Sequence, residues 1–150
     1  MTNIQRYRNT IMNKGKIMNR NKNKTAKVSN STKVFGVGVR VGVVIVKYFK
    51  TYASQERGLM FRKNILGENC GALFSGGPFT GVWMKNTYIP LEAIVIDSNN
   101  VVVETVSNMS PLSESVHFFH STPVHRFIEV DKGFIEKNKI RRGMKLHFKF

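Results

Sequence analysis

The sequence predicts a mainly β domain: a small, compact barrel, closed or nearly closed, with one or two short helices and a basic, disordered arm in front of it. Three observations carry that class. Short runs rich in β-branched and aromatic residues alternate with turn residues from Val41 onward. Helical periodicity over the same stretch is thin. The excess positive charge sits almost wholly in the first third of the chain. One hundred and fifty residues is room for one domain. A unit of about 110 residues buries roughly 60–70% of its unfolded surface, which is enough to fold alone.

The arm, residues 1–33, comes first. It is rich in Asn, Lys, Ser and Thr and poor in large apolar side chains. Such a segment cannot bury enough apolar area to offset its ordering entropy, so we expect it to be disordered by itself. Ile4, Tyr7, Ile11 and Met18 are spaced to line one helix face, and Arg6, Arg8, Lys14 and Lys16 would make that helix basic. Arg20, Lys22, Lys24 and Lys27 continue the charge. Residues 1–55 hold twelve of the 24 Lys and Arg and none of the nine Asp and Glu. Three readings stand open: a solvated tail, an arm that engages nucleic acid or an acidic protein surface, and an organelle transit peptide.

The β-rich domain is expected over 34–150. Residues 34–49, VFGVGVRVGVVIVKYF, are β-branched and glycine-rich, which favours a strand, Val41–Phe49. Residues 34–46 also suit the apolar core of an export signal, and a short membrane tether is the remaining alternative. The stretch is too short and too charged for an integral span. Ser54–Phe61 reads as a short helix with Ser54 as N-cap. Gly71–Phe74 is a short strand, broken by the SGGPF run within Ser75–Gly81. Gly81–Met84 is extended. Leu91–Asp97 and Val101–Val106 flank DSNN and read as an antiparallel hairpin. Val124–Val130 and Lys145–Phe150 are further strands, with a short helix at Lys132–Asn138 between them.

Several function classes drop out at this point. A net charge of +15 excludes a strongly anionic protein. A single cysteine, Cys70, excludes an intramolecular disulfide framework and a multi-cysteine zinc site. No phosphate loop, dinucleotide fingerprint or nucleophile elbow is present. His117, His120 and His125 lack the spacing of a helical metal pair. The residues therefore point to no catalytic set, no metal and no cofactor.

Two motifs stand out. Arg57-Gly58-Leu59-Met60 is followed by Trp83-Met84-Lys85-Asn86-Thr87 with Pro90-Leu91-Glu92. Pro111-Leu112-Ser113, Ile128-Glu129-Val130 and Ile140-Arg141-Arg142-Gly143-Met144 complete the order. This pattern, over about residues 41–148, resembles the domain of unknown function number 192 family, also called uncharacterised protein family 0127. The resemblance implies a compact β-rich fold and no established activity. Members occur in bacteria, archaea and some viruses, often behind an export signal. Two positions depart from the family: Glu92 stands where Asp is usual, and Met144 where an acid is usual. Both departures weaken an acidic role at those positions.

Within the motifs, an extended segment puts Trp83 and Lys85 on one face and Met84 and Asn86 on the other. Met60, Trp83, Lys85, Asn86 and Glu92 are the candidate ligand or partner surface: a stacking face, a cation, an amide and a carboxylate. The alternative is structural, with Trp83 plugging the core and Asn86 tying a turn. Gly58 is expected to permit close backbone approach. Asp97 reads as a turn residue and Glu104 as a strand-end charge.

The first functional expectation is a non-enzymatic β-domain that binds a partner or ligand. Its arm would engage a polyanion or a larger assembly, such as a virion or other nucleoprotein particle. The second is a small-ligand or enzymatic module at the Trp83–Asn86 surface. The third is an exported or membrane-tethered domain.

Overall fold

The computed structural model describes residues 41–150. The arm at 1–33 and the stretch 34–40 lie outside the described residues, as do all eight arm cations named above. In chain order the elements are β1 (Val41–Phe49), α1 (Tyr52–Arg57), β2 (Cys70–Phe79), β3 (Gly81–Val82), β4 (Leu91–Ile96), β5 (Val102–Met109), β6 (His117–Phe118), β7 (Val124–Asp131), α2 (Phe134–Lys137) and β8 (Leu146–Lys149).

Six strands form one sheet in the order β5-β4-β7-β2-β1-β8, and β3 pairs with β6 in a small second sheet. The large sheet curls into a half-barrel. Its edges approach at one end, where Val101 bridges Lys145. The Val102 amide donates to the Met144 carbonyl at 2.8 Å, and the Gly143 amide donates to that of Val102 at 2.8 Å. The barrel-like β domain that the strand pattern predicts is therefore present, in the form of a half-barrel. Its topology is less local than the pattern suggests, because β1 runs parallel to both β2 and β8.

The curled sheet is apolar on both faces. One cluster draws on all six strands, through Val43, Leu73, Ile128, Ile94, Val102 and Leu146. These side chains fill the concave side, each fully buried one contributing roughly 1.5–3 kcal/mol. The other cluster lies on the opposite face of β2, β7 and β4, through Phe74, Phe127, Leu91, Ala93 and Val95. It is roofed by residues from outside the large sheet, among them Leu59, Val82, Met84 and Phe119. The Phe74 and Phe127 rings stack there with centroids 4.5 Å apart.

Several boundaries differ from expectation for local reasons. Helix α1 starts earlier than Ser54, because Thr51 is the N-cap and Ser54 the third helical residue of a capping box. It ends at Gly58, whose φ of +48° favours glycine. The SGGPF run does not end β2. It makes a local irregularity in the β2–β7 ladder, with Ser75 opposite Arg126 and Phe79 opposite Val124. The extended piece after it is shorter than expected, since β3 stops at Val82. The DSNN hairpin forms as read, with Asp97 Oδ1 accepting from the Asn99 and Val101 amides at 2.8 and 2.9 Å. Among the described residues, no helix is long and apolar enough to cross a membrane.

Candidate functional site

Three segments converge above the roofed face: α1, the Gly58–Met60 turn that follows it, and the turn after β3. The backbone holds them together. The Phe61 amide donates to the Asn86 carbonyl at 2.8 Å, and the Met84 amide to that of Ser113 at 3.0 Å. Asn86 sits at φ +52°, a conformation that Asn tolerates better than most residues. Gln55, on the buried side of α1, donates to the Phe49, Lys50 and Ser75 carbonyls and so fastens the helix to β1 and β2.

Between these segments lies a cleft of about 340 Å³, lined by Ala53, Glu56, Arg57, Met60, Trp83 and Lys85. Met84 turns the other way and is fully buried in the core. The Lys85 ammonium lies 5.1 Å from the Trp83 ring centroid, within cation–π range. It also lies 3.7 Å from the exposed Glu114 carboxylate.

Behind Trp83 is a second, smaller space of about 10 Å³, the size of one water. Gln55, Arg57, Trp83, Thr87, Phe127 and Glu129 are among its walls, and Arg57 and Trp83 also line the outer cleft. Glu129 enters it from the middle of β7. Its cross-strand neighbours are Ala72 on β2 and Ala93 on β4. Two small side chains leave room for a carboxyl on an otherwise apolar face. Burial pushes that carboxyl up to about 8, and no amide or cation among the described residues offsets it. The Trp83 indole Nε1 is also buried, and it has no hydrogen-bond partner among the described residues. Buried indole N–H groups usually have one.

The predicted surface is therefore partly assembled. Met60, Trp83 and Lys85 share the cleft. Asn86 stands beside them, its amide nitrogen 3.9 Å from Met60 Sδ. Glu92 is not brought to them. It points to the concave side of β4, where its Oε2 accepts the Ile135 amide in the first turn of α2 at 2.9 Å. Trp83 is 7% exposed yet lines the cleft, so the largely buried ring is also a wall of the surface. Glu129 and Arg57 are functional residues that sequence reasoning missed, each standing only inside a motif. The available signal for Glu129 was a lone acid among Phe127, Ile128 and Val130.

Other candidates fall elsewhere. Among the described residues no three His, Cys, Asp or Glu are grouped to hold a metal. Cys70 is a half-buried free thiol. Glu104 accepts from the His120 and Ser121 amides, at 2.9 and 2.8 Å. Partial burial raises its carboxyl, but these bonds together bring it below the ordinary range.

A family comparison fits this picture. Residues 37–148 match the profile of DUF192, described as an "Uncharacterized ACR". Two solved structures resemble the fold. One is a protein of unknown function from Novosphingobium aromaticivorans DSM 12444, 31% identical, with a TM-score of 0.57, covering 64% of this chain and 69% of that one. The other is from Sinorhizobium meliloti 1021 and is described as a candidate transcription regulator. It is 29% identical, with a TM-score of 0.59, and the match covers 67% of this chain and 76% of that one. No curated protein matches. With more than half of its residues inside the family profile, RGLM and WMKNT included, the chain belongs to the domain of unknown function number 192 family.

Proposed function

We propose that this domain is a non-catalytic binding module that holds a small anionic ligand in the cleft over Trp83. One observation carries the reading: a buried indole N–H without a partner among the described residues, on the residue that lines both the cleft and the small inner pocket. An unpaired buried donor costs about 1–3 kcal/mol, which a ligand acceptor would offset. The cleft supplies the rest of a recognition surface, with Arg57 and Lys85 against Glu56 and an aromatic face between them. No base–nucleophile pair accompanies them, so the chemistry on offer is binding.

Trp83 is the only tryptophan in the chain, so its emission reports on this site directly. Titrating the full chain with small anions should give a saturable emission change that Lys85→Met weakens. A flat response to every anion overturns the reading.

A second reading belongs to the arm. Twelve Lys and Arg with no acid through residue 55 support engagement of a polyanion or of an assembly that contains one. Duplex binding by the full chain should then fall steeply with salt, by a slope of about 0.9 per phosphate contact. Replacing Lys14, Lys16, Arg20, Lys22, Lys24 and Lys27 by Gln should flatten it. Equal binding by both proteins removes the arm from the account.

A further inference from the structure

Resting on the binding reading for the cleft, we infer that its ligand is a carboxylate, one oxygen of which enters the pocket behind Trp83 and is held between the indole Nε1–H and the carboxyl of Glu129.

The dimensions argue for it first. The inner pocket has room for about one oxygen-sized group, and the outer cleft is more than thirty times larger. A planar carboxylate divides naturally between the two. One oxygen goes in, and the other stays at the mouth, where Arg57 borders both spaces. Guanidinium and carboxylate are matched in shape, and Arg57 is exposed. Lys85 and the Trp83 face remain for the body of the ligand.

The donors argue for it second. An oxygen in the pocket meets an indole N–H, which can only donate. Among the other polar walls, Gln55 Nε2 already donates to the Phe49, Lys50 and Ser75 carbonyls and the Thr87 hydroxyl to that of Lys85, while Arg57 borders the outer cleft and Glu129 presents a carboxyl. Two carboxylates cannot share so small a space while both are charged, so one proton must lie between them. Glu129 is the group prepared to hold it, because burial keeps its carboxyl protonated up to about pH 8. The ligand then binds as the anion and Glu129 as the acid, and no proton need be taken up below that pH.

The surroundings leave Glu129 as the titrating partner. From α1 come Glu56 and Arg57, and from the turn after β3 comes Lys85. The flanking strands β2 and β4 present Ala72 and Ala93. Glu92 faces the other side of the sheet, bound to the Ile135 amide.

The experiment titrates the full chain with acetate and benzoate, and with acetamide and benzamide as uncharged matches, following Trp83 emission from about pH 6 to about pH 10. Each is repeated with Glu129→Gln, after circular dichroism shows that the variant is folded. Carboxylates should bind better than amides. Their affinity should hold to about pH 8 and then fall about tenfold per pH unit as Glu129 loses its proton. Glu129→Gln keeps a donor in place and should bind with no such fall. Lys85→Met should lower affinity and keep the fall. Carboxylate binding without the pH dependence, or with the same dependence in Glu129→Gln, overturns the inference and leaves the binding reading standing. So does equal binding of the amides. No saturable change with any compound, as when the pocket serves a water only, overturns both.

Discussion

Glu92 and Glu129 lie on adjacent strands of one sheet, each 5% exposed, and they face opposite sides. Glu92 turns to the concave core and accepts the Ile135 amide at 2.9 Å, so its carboxylate is part of how α2 docks. Glu129 turns to the roofed face, where only desolvation acts on it, beside an indole N–H that lacks a partner. Exposure is the same in both cases, and the difference is that Glu92 accepts a backbone amide while Glu129 lies beside the one buried side-chain donor that lacks a partner among the described residues. A buried polar group with its partner in place is structure. One without a partner stores free energy that something outside the chain can release.

The largest expected effect tests that contrast through pH. Glu129 is raised from 4.5 to about 8 in the folded state. Between those values the folded protein keeps a proton that the unfolded chain has lost. Stability should therefore be greatest below pH 4.5 as far as this group is concerned, fall as pH rises toward about 8, and level off above it. The total is on the order of several kcal/mol. Urea midpoints measured across this window should fall in the native chain and much less in Glu129→Gln. A native profile as flat as the variant's would mean that Glu129 has a partner after all.

This contrast was only half legible in the sequence. Period-two alternation placed Trp83 beside Lys85 and Asn86 with Met84; the structure puts the Lys85 ammonium 5.1 Å from the ring, but β3 ends at Val82 and the following turn brings Asn86 to Met60 instead of to the buried Met84. The Asp97 turn was equally visible, because it is short-range backbone chemistry; Gly58 was singled out for close backbone approach, but what it supplies is a positive φ at the end of α1. Glu92 and Glu129 were not distinguishable in that way. Both sit in apolar runs, and β4 and β7 are buried on both faces, so alternation does not tell which side is the roofed one. That depends on α1 and the Gly58–Met60 turn folding over one face and α2 over the other. The parallel pairing of β1 with β8, about a hundred residues apart, was invisible for the same reason. Neither partner's local pattern encodes the other. Thr51 was passed over as a cap in favour of Ser54, since the two hydroxyls of a capping box look alike until the helix has a start.

Glu92→Ala comes next in size. It leaves the part-buried Ile135 amide of α2 without its acceptor, at a cost of about 1 kcal/mol by urea denaturation. Ligand response at Trp83 should be unchanged, because the concave side does not reach the cleft. A loss of binding with stability intact would return Glu92 to the site and dissolve the contrast between the two glutamates.

Thr51→Ala should cost about 0.5–2 kcal/mol, the usual range for an N-cap threonine. Its value lies in where the loss is felt. Helix α1 supplies Gln55, a wall of the inner pocket, and Arg57, a wall of both spaces. Loosening the helix should weaken anion binding along with stability, measured on the same samples. Weakened stability with unaltered binding would show that Gln55, held by three backbone carbonyls, fixes the helix without its cap.

The smallest effect belongs to the rim. Lys85 and Glu114 are 3.7 Å apart, with side chains 37% and 70% exposed. Solvent screens such a pair, so Glu114→Gln should change stability by about 0–1 kcal/mol. Binding should move the other way. Glu114 competes with an incoming anion for the ammonium, and removing its charge should strengthen anion binding by a small factor, more at low salt than at high. The two readouts separate an ion pair that holds the turn after β3 in place from one that only occupies a ligand cation. If Glu114→Gln weakens binding, the pair positions Lys85 over the indole, and the rim is as structural as the amide cap that Glu92 provides on the other face.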